Sequence, residues 1–191
     1  MSNGRVRRGE LLTLASELFA ARGFANTTVD EIGAAASISG PALYHHFANK
    51  ESILGEMLID ISCYLLAGAQ KAVADGGSDV LERLVRHHAT FAIDRRALIE
   101  VQFRDLVYAN EQAQRRIRRL QATYANLWVR ELMGRMLGLD RKVARSAVLS
   151  VFGLLNSTPY SRTLPRGEAI ALLERLAFGA FRAASEPATP V

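Results

Sequence analysis

The chain has 191 residues, enough for one ordinary domain or a small module joined to a larger one, and it can bury a core without disulfides or structural metal. With 49% hydrophobic and 23% charged residues it reads as globular, and its one cysteine, Cys63, excludes an internal disulfide and a Cys-based zinc site. A net charge of +5 and a pI near 9.8 point to anionic partners, nucleic acid first among them. No uninterrupted apolar segment follows Arg5, Arg7 and Arg8, so a secretory signal is not expected. Glu56 and Asp60 break the apolar stretch from Ile53 to Leu66, whereas a membrane span needs about 20 mostly apolar residues. Neither a span nor a membrane partner is expected, and a reducing cytoplasm fits best. In residues 1–51, Arg5, Arg7, Arg8, Arg22 and Lys50 are matched by Glu10, Glu17, Asp30, Glu31 and Glu51. If this neutral segment binds DNA, its cations must gather on one face.

Helical periodicity dominates from end to end. In "RGELLTLASELFAARGF", Leu11, Leu14, Ala15, Leu18 and Phe19 recur at helical spacing, and Gly23 stops the helix. Thr28 followed by Glu31 reads as a capping box that opens a short helix ending near Ser37. Ser39 is the N-cap of a third helix, with Gly40 and Pro41 in its first turn and Leu43 and Phe47 on its buried face, which places His45 and His46 on a helix. These two short helices and their Ser-Ile-Ser turn make a helix-turn-helix. Asn49 caps a long helix to about Ala74, and Ser78 or Asp79 caps another to about Ala92. Helices over 95–108 and 111–137 follow, the second closed by Gly138; Asp140 caps one to about Leu155. "NSTPYSRTLPRGE" reads as an exposed connection, 168–184 as the last helix, and "SEPATPV" as a frayed tail. The fold class is all-α.

The stretch "LFAARGFANTTVDEIGAAASISGPALYHHFANKESIL", Leu18 to Leu54, resembles the DNA-binding region of the tetracycline-repressor (TetR) family of bacterial transcription regulators. Its Thr-Val, Leu-Tyr-x-His-Phe and Lys-Glu elements carry the resemblance. Gly33, where alanine is frequent, Ser37, where the turn usually has glycine, and Pro41, where a second glycine is common, depart from it. A left-handed Ser37 would carry strain of about 1 kcal/mol. The resemblance implies an N-terminal helix-turn-helix domain over 1–48 and a larger helical effector-binding and dimerisation domain over 49–191.

The residues support DNA binding on their own account. Ser39, Gly40, Pro41 and Ala42 are small, as a recognition helix needs where its N-terminal end enters the major groove. Ala42 suits a thymine methyl, and His45 a base edge or phosphate. The Thr28 hydroxyl, at a helix start, fits a phosphate as well as a cap. Tyr44 and Lys50, by the resemblance, clamp the DNA backbone, while Arg5, Arg7 and Arg8 offer a flexible electrostatic contact. Adjacent His45 and His46 point about a hundred degrees apart on a helix, so no metal site is read from them; His46 is expected to pack and hydrogen-bond.

Beyond residue 60 the pattern says less. "ARSAVLSVFGLLN" and "EAIALLERLAFGAF" are rich in small and apolar residues, which permit close helix approach, so a homodimer through a four-helix bundle is expected, with ordinary intrachain core as the bland alternative. Tyr64, His88, Phe91, Phe103, Tyr108, Tyr124 and Trp128 are candidate lining for an effector cavity, although each alone suits a core. "QRRIRRL", Gln114 to Leu120, suits an anionic effector such as an acyl-coenzyme A, but Ile117, Leu120 and Tyr124 define its inner stripe and leave most arginines in solvent. No nucleophile-base pair, HExxH-like spacing or phosphate loop argues for an enzyme, and no cofactor is expected. The leading expectation is a dimeric repressor released from a palindromic DNA operator by a small, largely apolar effector. The alternative is a helical protein-interaction module whose helix-turn-helix does not bind DNA.

Overall fold

The computed structural model describes residues 2–160 and 163–186, with side chains from Arg8 onward, so the side chains of Arg5 and Arg7 and most of the expected frayed tail lie outside what it describes. Among the described residues all regular structure is helical. α1 (Ser2–Arg22) ends where Gly23 turns left-handed at φ 86°, its N–H returning to Phe19 O. α2 (Val29–Ala35) opens on the complete capping box: Thr28 N donates to Glu31 Oε2 at 2.8 Å and Glu31 N to Thr28 Oγ1 at 3.2 Å.

The turn after α2 is set by two residues. Ser37 adopts φ 55°, the left-handed conformation in which a non-glycine residue is strained by about 1 kcal/mol. Ile38 N donates to Gly33 O at 2.9 Å, and a Cβ on Gly33 would meet Ile38 O at 2.9 Å. Gly33 therefore admits the close return of the chain that starts α3 (Gly40–Tyr44), whose N-cap Ser39 accepts from Ala42 N. α3 is shorter than expected. His45 is its C-cap, while His46 and Phe47 lie in the closing turn, both N–H groups returning to Leu43 O.

α4 (Lys50–Ala74) is capped by Asn49, which accepts from Ser52 N at 2.7 Å. Contrary to the expectation drawn from Glu56 and Asp60, α4 is long and apolar enough to cross a membrane. Its apolar residues serve as core instead, Leu54, Met57, Leu58, Ile61, Ala69 and Ala72 all being buried, and Arg8 neutralises Glu56 in an ion pair at 2.6 Å. α5 (Val80–Asp94) follows, with Asp79 at its cap position spending its carboxylate on Arg83 rather than on the helix. α6 (Arg96–Asp105) tightens into a 3-10 turn, Leu106–Tyr108, before α7 (Glu111–Arg135), α8 (Arg141–Leu155) and α9 (Arg166–Ser185). The connection before α9 is not wholly exposed: a 3-10 turn at Thr158–Tyr160 buries Thr158, whose hydroxyl donates to Ala92 O at 2.7 Å.

The chain forms two compact units, residues 1–62 with 97–118, and residues 63–96 with 119–191. The division between the units falls inside α4, and the segment 97–118 packs with the N-terminal helices. In the first unit α2 packs on α1 and α3 around buried Leu11, Phe19, Ile32, Leu43 and Phe47. In the second, α5, α8 and α9 pack together around Trp128, Leu84, Val148, Leu155 and Phe181. Burying a side chain of this size contributes about 1.5–3 kcal/mol, so these two clusters supply the main stabilisation of their units.

Candidate nucleic-acid interface and effector core

α3 presents one face to its own core and leaves the other free. Leu43 is buried, whereas Ser39, Pro41, Tyr44 and His45 are exposed and Gly40 and Ala42 are partly covered. A Cβ on Gly40 would meet the Asp30 carboxylate of α2, which would have to swing aside. Tyr44 is 55% exposed, and neither it nor His45 makes a side-chain hydrogen bond among the described residues. His46 is half-buried, and its ring makes none either, contrary to the expected structural bond. No three His, Cys, Asp or Glu side chains gather to suit a metal among the described residues.

Thr28 and Lys50 are more committed. The Thr28 hydroxyl accepts from Glu31 N and donates to Glu31 Oε2 at 3.0 Å, so a phosphate taking that proton must displace the carboxylate. Glu31 is held as the anion, its pKa lowered first by the Thr28 backbone N–H and then by the Thr28 hydroxyl, with Arg22 contributing from 2.6 Å. The Lys50 ammonium donates to Phe24 O and Thr27 O, each at 2.8 Å, and lies 4.3 Å from the centroid of the Phe24 ring. An ammonium has three N–H donors, so one remains for an anion. Arg8 is not the flexible contact expected: it pairs with Glu56, donates to His46 O and lies over the Phe47 ring.

The second unit holds five of the seven candidate effector residues, His88, Tyr124 and Trp128 in one ring cluster and Tyr64 and Phe91 as a pair. His88 Nδ1 lies 3.1 Å from Tyr124 Oη, and His88 Nε2 lies 3.0 Å from Asn156 Oδ1. With Asn156 Oδ1 as acceptor, His88 carries its proton on Nε2 and Tyr124 donates to Nδ1. Trp128 stands edge-on to Tyr124, its ring centroid 5.8 Å away, and its fully buried indole N–H makes no hydrogen bond of good geometry. Phe91 is buried against Tyr64, which is itself 55% exposed. Desolvation pushes the His88 pKa down to about 4 and raises that of Tyr124, so the cluster is neutral near pH 7.

Phe103 and Tyr108 are not part of this group. Both belong to the first unit, where Phe103 is exposed and Tyr108 stacks on Phe24 at 5.1 Å. Two residues of the polar core escaped sequence reasoning. Asn156 opens the stretch read as an exposed connection, and Phe152 stacks on Tyr124 at 5.2 Å from a stretch read as dimer face. The arginines 115, 116, 118 and 119 of α7 are all exposed. A cleft of about 160 Å³ lies in the first unit between α4 and the start of α7, lined by Ser52, Glu56, Gln112 and Arg116 among others.

Residues 11–57 match the family described as bacterial regulatory proteins, tetR family. Over 78 residues the chain is 45% identical to the HTH-type transcriptional repressor KstR2 of Mycobacterium tuberculosis H37Rv, covering 41% of this chain and 38% of that one. The chain thus aligns with well under half the length of this curated relative. The solved structure of the ketosteroid regulator KstR2 of M. tuberculosis superposes at a TM-score of 0.77 with 24% identity, covering 93% of this chain and 94% of that chain. AibR, solved in complex with isovaleryl coenzyme A and operator DNA, superposes at 0.71 with 19% identity, over 89% of this chain and 97% of that one. The family match is thus confined to residues 11–57, the helix-turn-helix region, while the solved structures share the fold along most of the chain.

Proposed function

We propose that the protein is a DNA-binding transcription regulator, acting as a repressor in the cytoplasm and released from its operator by a small, largely apolar effector. The observation that carries this reading is the outward face of α3: Tyr44 and His45 are exposed and without side-chain hydrogen bonds on a helix-turn-helix whose other demands are met. Relatives named as repressors support the direction of control. Tyr44 and Lys50 position the DNA backbone, and His45 reads a base edge. Binding of a duplex drawn from the DNA flanking its own gene, measured by fluorescence anisotropy, tests this. His45→Ala is expected to cost about 1–3 kcal/mol at particular base pairs. Failure of the wild-type protein to bind any duplex at low salt would overturn the reading in favour of a protein-interaction module.

The effector reading rests on the neutral polar core of the second unit. His88, Tyr124 and Asn156 supply hydrogen bonds without a net charge, and the Trp128 N–H offers a donor to an acceptor such as a carbonyl. The rings of His88, Tyr124, Trp128 and Phe152 lie 5.0–6.0 Å from one another, so a ligand has to spread them. A ligand that binds only the spread arrangement shifts the population toward it, which is what release from DNA requires. The acyl-coenzyme A alternative draws on the ligand of AibR and on the exposed α7 arginines.

A homodimer is supported by the outer faces of α8 and α9, where Leu149 and Leu176 are exposed and a Cβ on Gly153 or Gly179 would meet nothing. Paired subunits let two short recognition helices meet a palindrome in successive major grooves. A monomer by light scattering at micromolar concentration is the contrary result.

A further inference from the structure

We propose that Arg104 and Tyr108 are positioning residues for the DNA-facing surface: they hold the corner between α1 and α2 from which Thr28 and Lys50 are presented. This rests on the DNA-binding reading above. The Lys50 ammonium is fixed by Phe24 O and Thr27 O, each at 2.8 Å, and by the Phe24 ring. Its location is therefore the location of the corner. Thr28 follows directly from Thr27, whose hydroxyl donates to Gly23 O at 2.9 Å, so the start of α2 is tied to the same few residues.

The corner is held from a segment some eighty residues downstream. Tyr108 stacks on Phe24 with 18° between the rings, and Phe19 closes on Phe24 from 5.3 Å. Arg104 donates to Phe19 O and, at 3.4 Å, to Ala20 O, which are carbonyls at the C-terminal end of α1 where a cation is favoured. Its guanidinium is held flat by the buried Asp105 carboxylate through two bonds of 3.0 Å. Bidentate pairing of this kind fixes orientation as well as charge. A shift of α6 or its closing turn thus moves Phe24 and with it the free N–H of Lys50.

The experiment compares Tyr108→Ala, Tyr108→Phe, Lys50→Ala and the Tyr108→Ala/Lys50→Ala double variant. Hydrogen exchange at the backbone amides of residues 24–28 is measured without DNA, and affinity for a mixed-sequence duplex is measured against salt. Tyr108→Ala is expected to speed exchange across the corner and to lower the salt slope by about 1 per subunit, as Lys50→Ala does. The double variant loses no more than either single change, and Tyr108→Phe, which keeps the stack, behaves as the wild type. If Tyr108→Ala does not fold, Tyr108→Leu, which keeps apolar cover on Phe24, and Arg104→Gln take its place. Unchanged exchange in Tyr108→Ala, or fully additive losses with Lys50→Ala, overturn the proposal. A wild-type chain that binds no duplex overturns the DNA reading instead, and exchange still reports whether the corner is held.

Discussion

Between pH 7 and pH 5 the protein should lose stability through His88, and a single substitution isolates the effect. His88 is buried with both ring nitrogens engaged by Tyr124 and Asn156. Burial is the largest cause of its low pKa, the hydrogen bond to Asn156 opposes it, and neighbouring His87 adds a smaller depression; the result is about 4 against an ordinary 6.5. The unfolded chain takes up a proton below 6.5 while the native state refuses it until about 4, so the unfolded state binds more protons throughout that window. The contribution is therefore present above 6.5 and lost as the pH falls toward 4. At about 1.4 kcal/mol per pH unit the full loss approaches about 3 kcal/mol, with about 2 kcal/mol gone by pH 5. His88→Gln keeps a donor and an acceptor but has nothing to titrate. Urea unfolding of both proteins from pH 7.5 to 4.5, followed by the fluorescence of Trp128, the chain's single tryptophan, reads this cluster directly. Titrations of Glu31, Asp79 and Asp94 are common to both proteins and cancel in the difference. If the two stability profiles run parallel, His88 is not the group that resists protonation.

Ser37→Gly should stabilise the first unit by up to about 1 kcal/mol, because glycine adopts φ 55° without strain; an unchanged or lower denaturation midpoint would count against strain at this turn. Gly68→Ala places a Cβ within 2.2 Å of His87 Nε2, so the ring must swing out, and its burial-lowered pKa should return toward 6.5 in an NMR titration; an unmoved titration would show that α4 yields instead. Thr158→Val removes the buried donor to Ala92 O and should cost about 1–3 kcal/mol by chemical denaturation, whereas a neutral result would mean that the carbonyl finds another partner.

The elements legible in the sequence are those whose cause is local. Thr28 with Glu31, Ser39, Asn49 and Asp140 each satisfy N–H groups within three residues of themselves, so spacing alone reveals the helix starts. Gly23 stops α1 because its φ of 86° suits a residue without a side chain, whereas α7 ends at Arg135, short of Leu137, and the left-handed Gly138 lies in the turn beyond it. The misreadings lie where a distant residue decides. Arg8 looks like a free cation until Glu56 meets it, 48 positions on, and Thr158 looks exposed until Ala92 accepts its proton. Helical period shows that Tyr108 and Phe152 have an inward side, but not that they face Phe24 and Tyr124.

The same division separates the proposed recognition face from the proposed effector core. An interface for DNA is made of side chains that the fold does not use, and short-range chemistry is enough to find them: once Ser39 is spent as a cap and Leu43 as core, Tyr44 and His45 remain. A ligand core is made of side chains that the fold uses as well. His88, Tyr124 and Asn156 satisfy one another in this conformation, so any effector must compete with bonds already made. Lys50 shows that the boundary is not sharp, because two of its three donors hold the α1–α2 corner and only the third is available to the phosphate proposed for it. On the proposed DNA reading, a residue shared in this way ties affinity to the integrity of the corner, which the segment carrying Arg104 and Tyr108 holds although it lies far from it in sequence.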